Sequence, residues 1–366
     1  MPRPIRASRE TQFARAVLSR TLKVRPGENV IIEGWTHTLP WAVALARETR
    51  RLKAFPMVLF EDEDSFWDSV KSREDKILGA APSHEWAALG KTDVYIHMWG
   101  AGDRLRMGEL GDERAGKIIG FNPAWYAAAS KAGVRGTRLE VGRPFPNLAK
   151  VYGVEEAKWM DQVVSGSMVD PNKLQAAGRP IAKALEKGPT VRIHDEKGTD
   201  VTLGLKHRAA GIADGRLTPK EIKRPFGMLS SLPSGVVRVA LDESVADGTI
   251  VANRPSYFET GKAEGGVLTF EKGRLVSHHF DSGSEFFDRD YAKGGKGRDQ
   301  PGRLSIGLNP KLHNTPQVED IEAGAVLVSV GTNRFLNGKN SSPFFGFVVN
   351  VGASVEVDGR PLPLPS

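Results

Sequence analysis

The sequence of 366 residues predicts an α/β protein in two parts: a doubly wound amino-terminal domain over residues 1–185, then a β-rich α+β carboxyl-terminal domain over residues 186–366. Three observations predict this. Through the first half, continuous apolar runs alternate with helix-period segments, the pattern of a parallel sheet covered on both faces. Near Lys187 the character changes, and short strands punctuated by glycine turns take over. The length, with 40% hydrophobic and 26% charged residues, suits two globular domains with substantial cores.

The elements follow in order. Arg9 to Leu22 places Phe13, Ala16, Val17 and Leu22 at helical spacing. Pro26-Gly27 makes a turn, and Asn29 to Glu33 is a strand. Leu39 to Leu52 is a helix with Ala42, Leu45, Ala46 and Thr49 on one face. Phe55 to Phe60 is the next strand, a helix ends at Ala87–Leu89, and Asp93 to Met98 is a third strand. Ile118 to Phe121 is expected as a fourth. In the second half, Thr190–His194 and Asp200–Leu205 flank the hairpin turn Glu196-Lys197-Gly198. Strands are expected at 235–241, 248–252, 266–270, 274–279, 326–331 and 347–355, with helices at Ser284–Tyr291 and Val318–Ile321.

Composition narrows the chemistry. Cysteine is absent, which excludes disulfides, thiolate catalysis and cysteine-held metal centres. The formal charge of +7 is spread along the chain, with no basic stripe interleaved with aromatics, so nucleic acid is not an expected partner. No apolar run reaches the roughly 18–20 residues of a membrane span, and no apolar signal core follows the first residues. A cytoplasmic protein acting on a small molecule, away from membranes, is expected.

Most simple motifs fail. Gly100-Ala101-Gly102 follows a strand but lacks the third glycine of a dinucleotide fingerprint. There is no phosphate-binding P-loop, no Gly-x-Ser-x-Gly elbow and no His-Glu-x-x-His. His278 and His279 point to opposite faces of a strand, whereas His279 and Asp281 share one and could hold iron or zinc. Two ligands alone do not make a site. His37 and His313 lie in turns, where capping or exposure to solvent is expected. The acidic turn Asp242 to Asp247 could pair carboxylates for acid–base work, but turn formation by itself favours those residues.

Several segments, in order, resemble the thermophilic metallo-aminopeptidase family of the aminopeptidase T and S type. Its wider, leucyl aminopeptidase-like group includes iron-dependent 2,5-dihydroxypyridine dioxygenases. The segments are Leu22 to Ile32, Phe145 to Lys150 with Val154 to Trp159, Lys197 to Leu203, Leu232-Pro233-Ser234-Gly235, Gly248-Thr249-Ile250, Gly273 to Val276 and Ile306-Gly307-Leu308-Asn309-Pro310. The resemblance implies a homodimer; Trp125, Tyr126 and Trp159 suit either an interface or the core. It also implies five metal ligands in the second domain: two glutamates, two histidines and an aspartate. They fall on Val236, Arg303, Leu327 and the stretch Phe345-Gly346-Phe347, none of them a ligand type.

That substitution pattern implies an apolar, aromatic-lined pocket with Arg303 as its cation, standing where the metal's charge would be. The expected function is a metal-independent hydrolase or related catabolic enzyme acting on a small anionic or heteroaromatic substrate. Arg303, Ser234 and Asn309 are its candidate catalytic residues; Arg238, Asn333, Arg334, Phe345 and Phe347 are its candidate substrate contacts. No cofactor is expected. Two alternatives stand beside this. One is a metal-dependent aminopeptidase or ring-opening dioxygenase with relocated ligands, using iron or zinc at His279 and Asp281. The other is a non-catalytic binding relative, with Arg303 paired structurally to a carboxylate.

Overall fold

The computed structural model describes residues 7–80, 82–118, 120, 122–224 and 227–366. The chain forms two compact units: one runs to Met168 and takes in Gly215–Pro233, the other comprises Val169–Asp214 and Ser234–Ser366. The boundary expected at residue 185 therefore falls earlier. Helix Pro171–Lys187 belongs to the second unit because Leu174, Ile181 and Leu185 are buried in that unit's core.

The first unit is built on a five-stranded sheet of order β2-β1-β3-β4-β8. Its strands are β1 (Asn29–Trp35), β2 (Phe55–Glu61), β3 (Val94–Met98), β4 (Arg135–Leu139) and β8 (Leu229–Leu232). Every pairing is parallel, as the unbroken apolar run Val30-Ile31-Ile32 foretold. The amino-terminal helix begins at Arg9, capped by Ser8, and its second half widens to a π-helix over Ala16–Thr21. Helix Leu39–Arg51 buries Trp41, Ala42, Leu45 and Ala46, as its periodicity predicts. The expected strand at 118–121 does not form at Ile118, which ends helix Gly111–Ile118; Ile119 and Phe121 lie outside the described residues. The fourth strand is instead β4, whose sequence Arg-Gly-Thr-Arg-Leu has neither alternation nor an apolar run. Trp125 and Trp159 are buried, so they pack the core and do not present an interface.

The second unit is antiparallel. One seven-stranded sheet has the order β14-β13-β10-β6-β5-β18-β19, from β5 (Thr190–His194), β6 (Asp200–Gly204), β10 (Ala246–Val251), β13 (Val267–Glu271), β14 (Arg274–His279), β18 (Ser354–Val357) and β19 (Arg360–Pro361). A five-stranded sheet has the order β17-β16-β15-β9-β7, from β7 (Gly211–Ala213), β9 (Val236–Ala240), β15 (Pro301–Gly307), β16 (Ala325–Gly331) and β17 (Phe345–Val351). The short β11 (Ser256–Phe258) and β12 (Gly261–Ala263) pair with each other. The expected single strand at 347–355 is split because Gly352 takes φ +94°, a left-handed turn between β17 and β18.

Alternation along the five-stranded sheet sorts its side chains. Val237, Val239, Leu304, Ile306, Val326, Val328 and Val348 join Val191, Val201, Ile250 and Leu268 of the larger sheet in one core. Helix Ser284–Lys293 adds Phe287, whose ring lies 5.1 Å from Phe280 and 5.2 Å from Phe344. Residues of the other register point to the opposite face, where the candidate site lies. No helix among the described residues is long and apolar enough to cross a membrane.

Truncating a fully enclosed aromatic removes both its transfer energy and its packing partners. Phe287→Ala is expected to lower unfolding stability by about 3–5 kcal/mol, measured by urea denaturation.

Candidate functional site

The positions where the resemblance placed metal ligands lie together on the second face of the five-stranded sheet. Registers align Arg303 with Ala240 and Ser305 with both Arg238 and Leu327. Leu327 packs with Ala325, Val349 and Phe347. Val236 projects from the start of β9 into a small apolar cluster with Leu312, Val318 and Ile321. The sheet frame therefore gathers Val236, Arg303, Leu327, Phe345 and Phe347 on one face.

An ion-pair network fills that face. Arg238 donates through Nε and Nη2 to Oδ2 of Asp320, at 3.0 and 2.9 Å. Arg303 donates through Nη2 to the same oxygen at 3.2 Å. Asp320 reaches them from the 3-10 turn Glu319–Ile321. The Gly-Leu-Asn-Pro turn pins that turn in place, since the amides of Leu308 and Asn309 donate to the Ile321 carbonyl. Beside it, Glu319 accepts from the Tyr257 amide at 2.9 Å. Glu322 accepts from Arg254 at 3.0 Å, from His313 at 3.1 Å and from the Asn314 amide at 2.8 Å.

Burial shapes the titration of these groups. Desolvation pushes the Asp320 carboxyl up, but Arg238 and Arg303 overcome it and hold the group below its ordinary range. Arg303 moves the other way: desolvation, then repulsion from Arg238, brings it down to about 10. It remains a cation at neutral pH. Its Nε is buried with no acceptor, and its guanidinium lies 4.5 Å from the centre of the Phe345 ring. Phe345, Phe347, Phe258 and Phe286 continue as a row, with successive centroids 5.6, 6.4 and 5.8 Å apart. The expectation of Arg303 as the pocket's lone cation is thus corrected: Arg238 shares its carboxylate.

The other candidates divide. Ser234 donates to the Ala213 carbonyl at 2.9 Å, and Asn309 donates to the Ser234 carbonyl at 2.7 Å while accepting from the Lys311 amide at 3.0 Å. These bonds brace the turn after β15. Asn333 belongs to a separate cluster, donating to Glu243 at 2.9 Å beside the Arg208–Glu243 ion pair. Arg334 begins the exposed 3-10 turn that follows Asn333. In the acidic turn, Asp242 caps Ser244. Glu243 is drawn down to about 2, since hydrogen bonds from Arg208, Lys339 and Asn333 outweigh its desolvation. Neither carboxylate is free for acid–base work.

The histidines also resolve. His279 and Asp281 meet at 3.3 Å but are largely exposed. His278 turns away to Asp288 at 2.7 Å. His313 is exposed, as expected, whereas His37 is mostly buried, with Nε2 bonded to the Gly142 carbonyl at 2.9 Å. Asp320, Glu319, Glu322 and Arg254 were not singled out from the sequence. A signal existed: Arg238 sits within Val-Val-Arg-Val-Ala, and a cation in such a strand requires a carboxylate partner.

The chain belongs to the thermophilic metalloprotease (M29) family, whose model matches residues 7–293. Among solved structures it is similar to AmpT from Thermus thermophilus, with TM-score 0.71 and 17% identity over 97% of each chain. It is also similar to the 2,5-dihydroxypyridine dioxygenase of Pseudomonas putida, with TM-score 0.61 and 16% identity over 98% of this chain and 97% of that one. At such identities the likeness is one of fold. Comparison with curated proteins finds no match.

The positions that the resemblance assigns to metal ligands carry Val236, Arg303, Leu327, Phe345 and Phe347, which are not metal-ligand types, and Asp320 beside them accepts from both Arg238 and Arg303. Among the described residues, no group of three or more His, Asp or Glu is arranged to hold a metal ion.

Asp320→Asn strips two half-buried guanidiniums of the buried carboxylate they share and should cost about 2–3 kcal/mol in denaturant unfolding. Replacing the trio together (Asp320→Leu, Arg238→Met, Arg303→Met) should recover most of that loss, because the desolvation cost goes with the charges. At Glu243 the folded pKa of about 2 lies below the ordinary 4.5, so its stabilisation is present above 4.5 and fades as pH falls toward 2. Thermal melts from pH 7 to 2 should show a shallower acid decline in Glu243→Gln, from a lower starting stability.

Proposed function

We propose that the carboxyl-terminal unit binds a small anionic, aromatic or heteroaromatic substrate against Arg303 and hydrolyses it without a metal at the family's ligand positions. The observation that supports this reading is the state of the guanidinium. Arg303 is a half-buried cation with one bond to a carboxylate it shares, and its buried Nε lacks an acceptor. A substrate carboxylate or carbonyl would complete that hydrogen bonding. The Phe345–Phe347 row offers a flat apolar wall to a ring bound there. In hydrolysis, Arg303 would stabilise the negative charge that develops on the scissile carbonyl oxygen, the role a metal has in the family. Asp320 keeps Arg303 oriented; its depressed pKa makes it a poor base.

Binding without turnover is a second reading, favoured by the use of Ser234 and Asn309 in bracing a turn. One experiment separates the two. Purified protein is incubated with aryl amides and with nitro- and hydroxy-substituted heteroaromatics, products are followed by mass spectrometry, and metal content is measured in parallel. The expected result is turnover that survives chelation, with kcat/KM reduced about 10²–10³-fold in Arg303→Ala. Stoichiometric zinc or iron together with loss of activity on chelation would overturn the metal-free reading. Saturable binding with no product would establish the second.

A further inference from the structure

The first unit has a second place where chemistry converges. Its strand order β2-β1-β3-β4-β8 reverses between β1 and β3, since the chain leaves β1 for one edge and returns on the other side. Loops diverging from such a point leave a crevice at the carboxyl ends of the strands, where doubly wound sheets hold their ligands. Here the crevice is a cavity of about 280 Å³, lined entirely by residues of this unit.

A charged row crosses its floor. Register places Glu33 of β1 beside His97 of β3, and His97 beside Arg138 of β4, with all three lining the cavity. Glu33 Oε2 accepts from the Tyr95 hydroxyl at 2.7 Å and from His97 Nδ1 at 2.9 Å. Those bonds hold the Glu33 carboxyl below its ordinary range against the desolvation that would raise it. They leave Oε1 of Glu33 as an acceptor. Glu85 also lines this end, and the Glu33 charge adds to burial in pushing its carboxyl up. At the other end, the Arg138 guanidinium contacts the Tyr126 hydroxyl and ring and has no ion-pair partner among the described residues. The walls are aromatic: Trp99, Trp125 and Trp35, the last with a buried indole N–H that has no acceptor.

We infer that this cavity is a binding site for a small, single-ring aromatic acid carrying an amine or hydroxyl opposite its carboxylate. The acid end meets Arg138, the donor end meets Glu33 and His97, and the ring lies among the indoles. Strand spacing sets the length: two steps of about 4.8 Å put Glu33 and Arg138 about 10 Å apart, the span of one para-substituted ring with its hydrogen bonds. A nucleotide phosphate is a poorer occupant. The backbone amides of Gly102 and Asp103, which could cradle one, both donate to Glu63 at 2.8 Å. Gly100 is a glycine for another reason: a side chain there would meet the Trp35 indole at 2.0 Å.

The test is a titration of the full chain with 4-aminobenzoate, followed by tryptophan fluorescence and calorimetry, with benzoate and aniline as half-ligands. One-site saturation by 4-aminobenzoate is expected, with each half-ligand weaker by about tenfold or more. Arg138→Gln should weaken 4-aminobenzoate and benzoate about tenfold and leave aniline unchanged. Glu33→Gln should do the reverse, and both contrasts are measured in an Arg303→Ala background, which removes the cation of the carboxyl-terminal site. Thermal melts check that each variant is folded; if Glu33→Gln is not, the contrast between benzoate and aniline in Arg138→Gln decides alone. Absence of saturation by about 10 mM, or an affinity unchanged in Arg138→Gln, would each overturn the proposal.

Discussion

The carboxyl-terminal unit depends on how one buried carboxylate is shared. Asp320 receives both Arg238 and Arg303, and without it two guanidiniums would face each other across adjacent strands. Desolvation makes every unpaired charge on that face costly. Its local architecture serves the pairing: the turn after β15 grips the Glu319–Ile321 turn through backbone bonds and so presents Asp320 to the sheet. The Gly-Leu-Asn-Pro turn serves here as the support of an ion pair.

This gives a physical account of how a metal face can be remade while its fold remains. A metal site concentrates negative ligands around a positive ion; removing the ion alone would leave carboxylates repelling one another. In this chain the positions that the resemblance assigns to ligands are apolar or cationic, and the carboxylates on that face come from a neighbouring turn with their own arginines: Asp320 with Arg238 and Arg303, Glu322 with Arg254. The row of phenyl rings running up to Arg303 occupies space and excludes water. The pairing leaves Arg303 Nε without an acceptor.

The amino-terminal unit solves a different problem. A parallel sheet is apolar by habit, yet its exposed strand ends supply a crevice where polar side chains reach a ligand. Glu33, His97 and Arg138 lie toward the carboxyl ends of their strands. Their opposite charges are separated by a strand, so the floor of the cavity is dipolar. Aromatic residues from helix Asn122–Ala132 and from β3 close around it.

The sequence by itself determined the two architectures, because period and apolar continuity are local properties of the chain. The runs at 29–33, 93–98 and 326–331 had to be strands, and the ordered turns around Pro233 and Pro310 carried the resemblance to the family. Only the tertiary structure decided the rest. β4 and β8 are too polar or too short to declare themselves, and they become strands because a neighbour offers a free edge. Asp320 is 17 residues from Arg303 and 82 from Arg238, and Glu33 is 64 residues from His97. Partners so far apart in sequence are chosen by sheet register and by the cost of leaving a charge alone in the interior.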